Sequence, residues 1–131
     1  MKVTVDTNVL IRSIVRDDKK QAIAADRVLR SAELIAVPLP CLCEFVWVLL
    51  QVYGIPRKDI AEAIRTLLGV GNVETDRAAV EAGLTVLEAG GDFADGIIAF
   101  EGIRLGGQAF VSFDRKAVKL LQTAGLAARM A

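Results

Sequence analysis

A chain of 131 residues, 53% hydrophobic and 24% charged, is expected to form a single domain, residues 1–131, around a sizeable core. This composition excludes a disordered tail, and a net charge of zero leaves any polyanionic partner to a local basic patch or a metal. Histidine is absent, which excludes Ser–His–Asp and Cys–His nucleophiles, imidazole bases and imidazole metal ligands.

The first element is a short buried strand, Lys2-Val3-Thr4-Val5, β-branched at three successive positions. It runs straight on from Met1 and is interrupted by the polar Asp6-Thr7-Asn8, so no secretory signal is read here and a cytoplasmic protein is expected. Val9 to Val15 reads as a short apolar helix. Asp17 or Asp18 then caps a helix reaching about Ser31, with Ala22, Ala25, Leu29 and Ala32 near helical spacing. Leu34-Ile35-Ala36-Val37 is a second apolar strand, ended by Pro38 and Pro40.

Cys41 to Tyr53 reads as one helix, apolar on nearly every face, hence central or shared with a partner chain. Cys41 and Cys43 are read as small buried hydrophobes. Their i, i+2 spacing does not face one way on a helix, and no other Cys or His exists to complete a zinc site. The uncharged run Phe45 to Pro56 falls short of the roughly 20 residues of a membrane span.

Ile60, Ile64, Leu67 and Leu68 mark an amphipathic helix, followed by a brief strand at Asn72-Val73. Thr75 or Asp76 caps a helix with Val80, Leu84 and Leu87 inward, ended by Gly90-Gly91. Asp92-Phe93-Ala94-Asp95 opens the next helix, through about Leu105. Ala109 to Ser112 is a strand, and Asp114 begins the last long helix, with Val118 and Leu121 inward. A short edge strand is expected near Ala127 to Arg129. Apolar strands alternating with helices argue an α/β fold with a parallel sheet covered on both faces.

Four acids stand apart. Asp6 ends the first strand, where ligands of open α/β sheets gather. Glu44 is the one charge between Leu34 and Arg57. Asp95 is alone among Phe93, Ala94 and the apolar run to Phe100, and Asp114 directly follows Ala109 to Phe113. Taken singly, Asp6 and Asp114 serve equally as helix caps, and Asp95 as a first-turn acid favoured by the helix dipole. Asp92 is both a good cap and an additional candidate ligand. Glu44 caps nothing, and no Lys or Arg lies within helical reach at positions 40, 41, 47 or 48. Four convergent carboxylates repel unless a cation joins them, and oxygen-only ligands suit Mg²⁺ or Mn²⁺. Such a site activates water and clamps a phosphodiester without histidine.

Val5-Asp6-Thr7-Asn8-Val9-Leu10, the lone Glu44, Asp92-Phe93-Ala94-Asp95-Gly96-Ile97-Ile98-Ala99 and Val111-Ser112-Phe113-Asp114-Arg115 resemble a PIN domain. More closely, the ordered set is similar to the VapC toxins of bacterial toxin–antitoxin pairs, across the whole chain. The resemblance implies a three-layer α/β/α fold with a central parallel sheet of about four to five strands. It also implies a Mg²⁺- or Mn²⁺-dependent ribonuclease, dimeric and neutralised by a cognate antitoxin. The family's acidic quartet falls on Asp6, Glu44, Asp95 and Asp114, as catalytic residues and metal ligands, with Thr7, Asn8 and Ser112 as supporting polar groups. Gly96 departs from the Ala or Leu more common in the family, and is expected to loosen that helix start slightly.

Two other readings compete. A receiver-like phosphoacceptor is also α/β with an acidic pocket, but it requires paired acids after the first strand, where this chain has Asp6-Thr7-Asn8. A catalytically silent PIN-like binding module is the other. For RNA, Arg12 and Arg115 are the cations placed to flank a phosphate track.

Overall fold

The computed structural model describes residues 1–131, in two compact units, Met1–Asp76 and Arg77–Ala131. All five strands pair in parallel, as the apolar strands and intervening helices lead one to expect.

In the first unit, strand β1 (Lys2–Thr4) pairs with β2 (Leu34–Ala36), and β2 with β3 (Val73–Glu74). The register sets Val3 opposite Ile35 and Ile35 opposite Val73. Helices α1 (Thr7–Ile14) and α2 (Lys19–Ser31) cross from β1 to β2; α3 (Leu39–Trp47) and α4 (Arg57–Leu68) cross from β2 to β3. Ile35, Leu42, Leu49, Ile60 and Ile64 are wholly buried in the core, with Leu10 and Ile11 of α1.

Two expectations for this unit change. The first helix starts at Thr7, because the Asp6 carboxylate accepts the Val9 amide hydrogen and so nucleates the turn two residues early. The Cys41–Tyr53 helix is not uniform: α3 passes at Val48 into a π-helical stretch, Val48–Val52. There the Tyr53 N–H donates to the Val48 carbonyl, a wider turn that redistributes the apolar faces. Cys41, Leu42, Phe45, Val46 and Leu49 are buried, but Trp47 and Val52 are 60% and 62% exposed.

In the second unit, α5 (Arg77–Glu88) packs on α6 (Phe93–Arg104). Strands β4 (Phe110–Ser112) and β5 (Ala128–Met130) form their own two-stranded sheet, joined through α7 (Arg115–Thr123). Val86, Ala99 and Leu121 are buried together, with Phe110, Leu126 and Ala128 against them. Thr75 does not cap α5: its hydroxyl is buried with no hydrogen-bond partner.

Gly96 has a tertiary role that its helix propensity does not reveal. A Cβ at Gly96 would lie 2.7 Å from the Ala82 carbonyl oxygen and 2.9 Å from the Gly83 Cα. Its lack of a side chain lets α6 approach α5 closely, a packing role beside its propensity cost. No helix is long and apolar enough to cross a membrane.

Candidate active site

No charged side chain is buried in the core, and the acids singled out above lie at or near the surface. Each unit gathers its own group of them.

In the first unit, Asp6 follows β1, where the extended chain turns into α1. Its Oδ1 accepts the Val9 N–H at 3.1 Å, so it is a true N-cap. Thr7 and Asn8 begin α1. Glu44 lies on the exposed side of α3, which accounts for a charge within an apolar helix: it is solvated. Cys41, one turn earlier, is 7% exposed. Its thiol is held above the ordinary range, first by burial and then by the negative charges of Asp6 and Glu44, while a hydrogen bond with Thr7 pulls the other way. Asp6, Thr7, Cys41 and Glu44 thus share one electrostatic neighbourhood. As a sequence feature Cys41 marks only a core position; its place three residues before Glu44 is the signal that it borders the acids.

In the second unit, Asp92 caps α6, accepting the Ala94 N–H at 2.7 Å. Asp114 caps α7, accepting the Ala117 N–H at 3.1 Å, while its own N–H donates to Ser112 Oγ at 3.0 Å. Asp95 is in the first turn of α6 and half-buried. Its carboxyl is pushed above the usual carboxylate range, chiefly by burial and then by the negative charges of Asp92 and Asp114. Capping and acid clustering are therefore simultaneous at Asp92 and Asp114.

None of Asp6, Glu44, Asp92, Asp95 and Asp114 forms an ion pair; cations such as Arg12 and Arg16 are spent on Asp17 and Asp26 instead. Arg12 also donates through Nε to Gln21 at 2.8 Å, and contacts the Tyr53 hydroxyl at 3.5 Å. Arg115 is exposed at the start of α7. The donor chemistry around the acids is hard oxygen, suited to Mg²⁺ or Mn²⁺. Within each unit, no group of three or more Cys, Asp and Glu side chains is arranged to hold a metal ion.

The fold and acids define an α/β protein with carboxylates following its parallel strands. A family model described as the PIN domain matches residues 3–122, and the chain belongs to the PIN domain family. The match spans both units and includes all five acids. Proteins of this family are generally metal-dependent nucleases acting on RNA, which sets the receiver-like reading aside. No curated protein matches the sequence.

Proposed function

We propose that the protein is a metal-dependent endoribonuclease and the toxin of a toxin–antitoxin pair. The observation that carries the nuclease reading is Asp95, a half-buried carboxyl crowded by Asp92 and Asp114 with no cation to balance them. Asp6, Glu44, Asp95 and Asp114 are the proposed catalytic acids and metal ligands, with Asp92 as an additional ligand. Thr7, Asn8 and Ser112 are the supporting polar groups beside them. A bound Mg²⁺ or Mn²⁺ supplies activated water and neutralises charge on the phosphodiester. Arg115 is free to meet phosphate, whereas Arg12 must exchange Asp17 for it. We further propose that residues 1–131 act as one PIN domain in the cytoplasm. A homodimer through the exposed Trp47 and Val52 and a cognate antitoxin with an apolar helix complete the reading.

The test is cleavage of a labelled single-stranded RNA with Mn²⁺, Mg²⁺ or EDTA. Wild type should cleave with metal alone, and Asp6→Asn, Glu44→Gln, Asp95→Asn and Asp114→Asn should each cut turnover sharply. Turnover near wild type in Asp6→Asn or Asp95→Asn overturns the mechanism. A small antitoxin reading frame next to this one supports the toxin role. The silent binding module is the second reading; no cleavage with any metal selects it.

A further inference from the structure

The chain has five phenylalanines, and four of them are at least partly covered. Phe45 and Phe93 are buried in the core, and Phe100 and Phe110 are half-buried. Phe113 is 89% exposed, although it directly precedes Asp114. A single exposed apolar residue is ordinary, so exposure alone says nothing. Its surroundings say more.

Phe113 sits in a held turn. The Asp114 N–H donates to Ser112 Oγ, and the Asp114 carboxylate caps α7, so the residue before and the residue after Phe113 are both fixed. The ring is thereby presented to solvent from a short, anchored backbone segment. Arg115, Lys116 and Lys119 follow on α7, all exposed and in no ion pair. On the sheet, Val111 is also exposed, and its cross-strand partner is the exposed Arg129. An exposed aromatic ring followed within one helical turn by cations in no ion pair is what a single-stranded polyanion with flat bases recognises: bases stack on the ring while cations hold the phosphates, away from the neighbouring Asp114. An uncharged protein surface offers nothing to those cations.

We propose that Phe113 is a stacking platform for a base of single-stranded RNA, with Arg115 and Lys116 gripping the adjoining phosphates. The inference rests on the nuclease reading and adds a residue that sets how substrate is held. Stacking tolerates any base, so it positions the strand without selecting a sequence.

The full chain is assayed with a short single-stranded RNA and Mn²⁺, and binding is measured separately without metal. Phe113→Ala and Phe113→Leu are expected to raise KM by about 5- to 100-fold with kcat little changed, and Phe113→Trp to restore it. Metal-free affinity should fall in parallel, while binding of an abasic strand of equal length stays unchanged. Arg115→Gln should lower the slope of log affinity against log salt by about 0.7. A Phe113→Leu variant that behaves as wild type overturns the proposal, since apolar contact alone then suffices. So does a loss of kcat with KM unchanged, or a loss of self-association in Phe113→Ala without a loss of RNA affinity. If wild type fails to cleave, the nuclease reading falls, and the metal-free binding series still decides stacking.

Discussion

Gly83 and Gly96 bring helices α5 and α6 together: a Cβ on Gly96 would lie 2.9 Å from the Gly83 Cα. A Cβ on Gly83 would in turn meet the Phe93 ring at 2.8 Å. Asp95 is next to Gly96 in the first turn of α6, so this contact also sets where a proposed catalytic acid sits. Gly96→Ala improves intrinsic helix propensity by about 0.5–1 kcal/mol, but overpacking an interface this tight costs about 1–3 kcal/mol. The expected outcome is a melting temperature lower by several degrees, read by thermal denaturation. A higher melting temperature would mean that the helices separate easily.

Asp95→Asn should raise the melting temperature of the metal-free protein. Burial, Asp92 and Asp114 all hold the Asp95 carboxyl above its ordinary range. A group raised in this way favours the fold fully below the unfolded pKa of about 3.9, and loses that contribution as pH rises through the folded value. The wild type therefore bears the penalty at pH 7, and the gain from Asn should be largest there and vanish below about pH 4. Mn²⁺ should stabilise the wild type, in proportion to ln(1 + [L]/Kd), and barely affect the variant. Melts with EDTA and with Mn²⁺ measure both effects. A lower melting temperature for metal-free Asp95→Asn at neutral pH contradicts the shared acidic neighbourhood.

At Asp114 the capping and catalytic roles separate by choice of substitution. Asn caps about as well as Asp, so Asp114→Asn should keep the melting temperature while losing cleavage. Asp114→Ala should lose both, at about 0.5–2 kcal/mol for the cap. Of the four acids, Asp114 is expected to be the mildest catalytic loss, since a fourth acid can act through water. Equal cleavage by Asp114→Asn and wild type would leave Asp114 a cap alone.

Thr75→Val should stabilise the protein. The Thr75 hydroxyl is buried without a partner, and valine keeps its shape while removing the orphan group. A gain of about 1 kcal/mol, or roughly 3–5 °C, is expected by thermal melt. A loss would reveal a hydrogen bond made through water.

Trp47→Asp should yield a monomer. Trp47 and Val52 are large, apolar and well exposed at the junction of α3 with its π-helical extension. A charge there opposes burial against a second copy. Sedimentation at micromolar concentration tests this: a 14.0 kDa species for the wild type as well would remove the dimer.

The local pattern of residues by itself indicated most of the elements, the parallel pairing and the acids worth naming, but not the early start of α1 or the π-helical stretch at Val48–Val52. Apolar runs of β-branched residues, spacing such as Ile60 and Ile64, and Asp or glycine at helix ends act through neighbours in the chain, so they are legible without a fold. The acids were legible for the same reason, as lone charges in apolar company. What only the tertiary structure decided lies between segments distant in sequence. Helix propensity read Gly96 as a weakness, while contact with Gly83, thirteen positions earlier, makes it a packing requirement. Arg12 looked free until α1, α2 and Tyr53 closed around it. Glu44 looked like a charge in need of a partner until its helix turned it to solvent. The sign of the Asp95 effect likewise needed burial and two neighbouring charges, because desolvation and Coulomb repulsion depend on three-dimensional distance rather than on order along the chain.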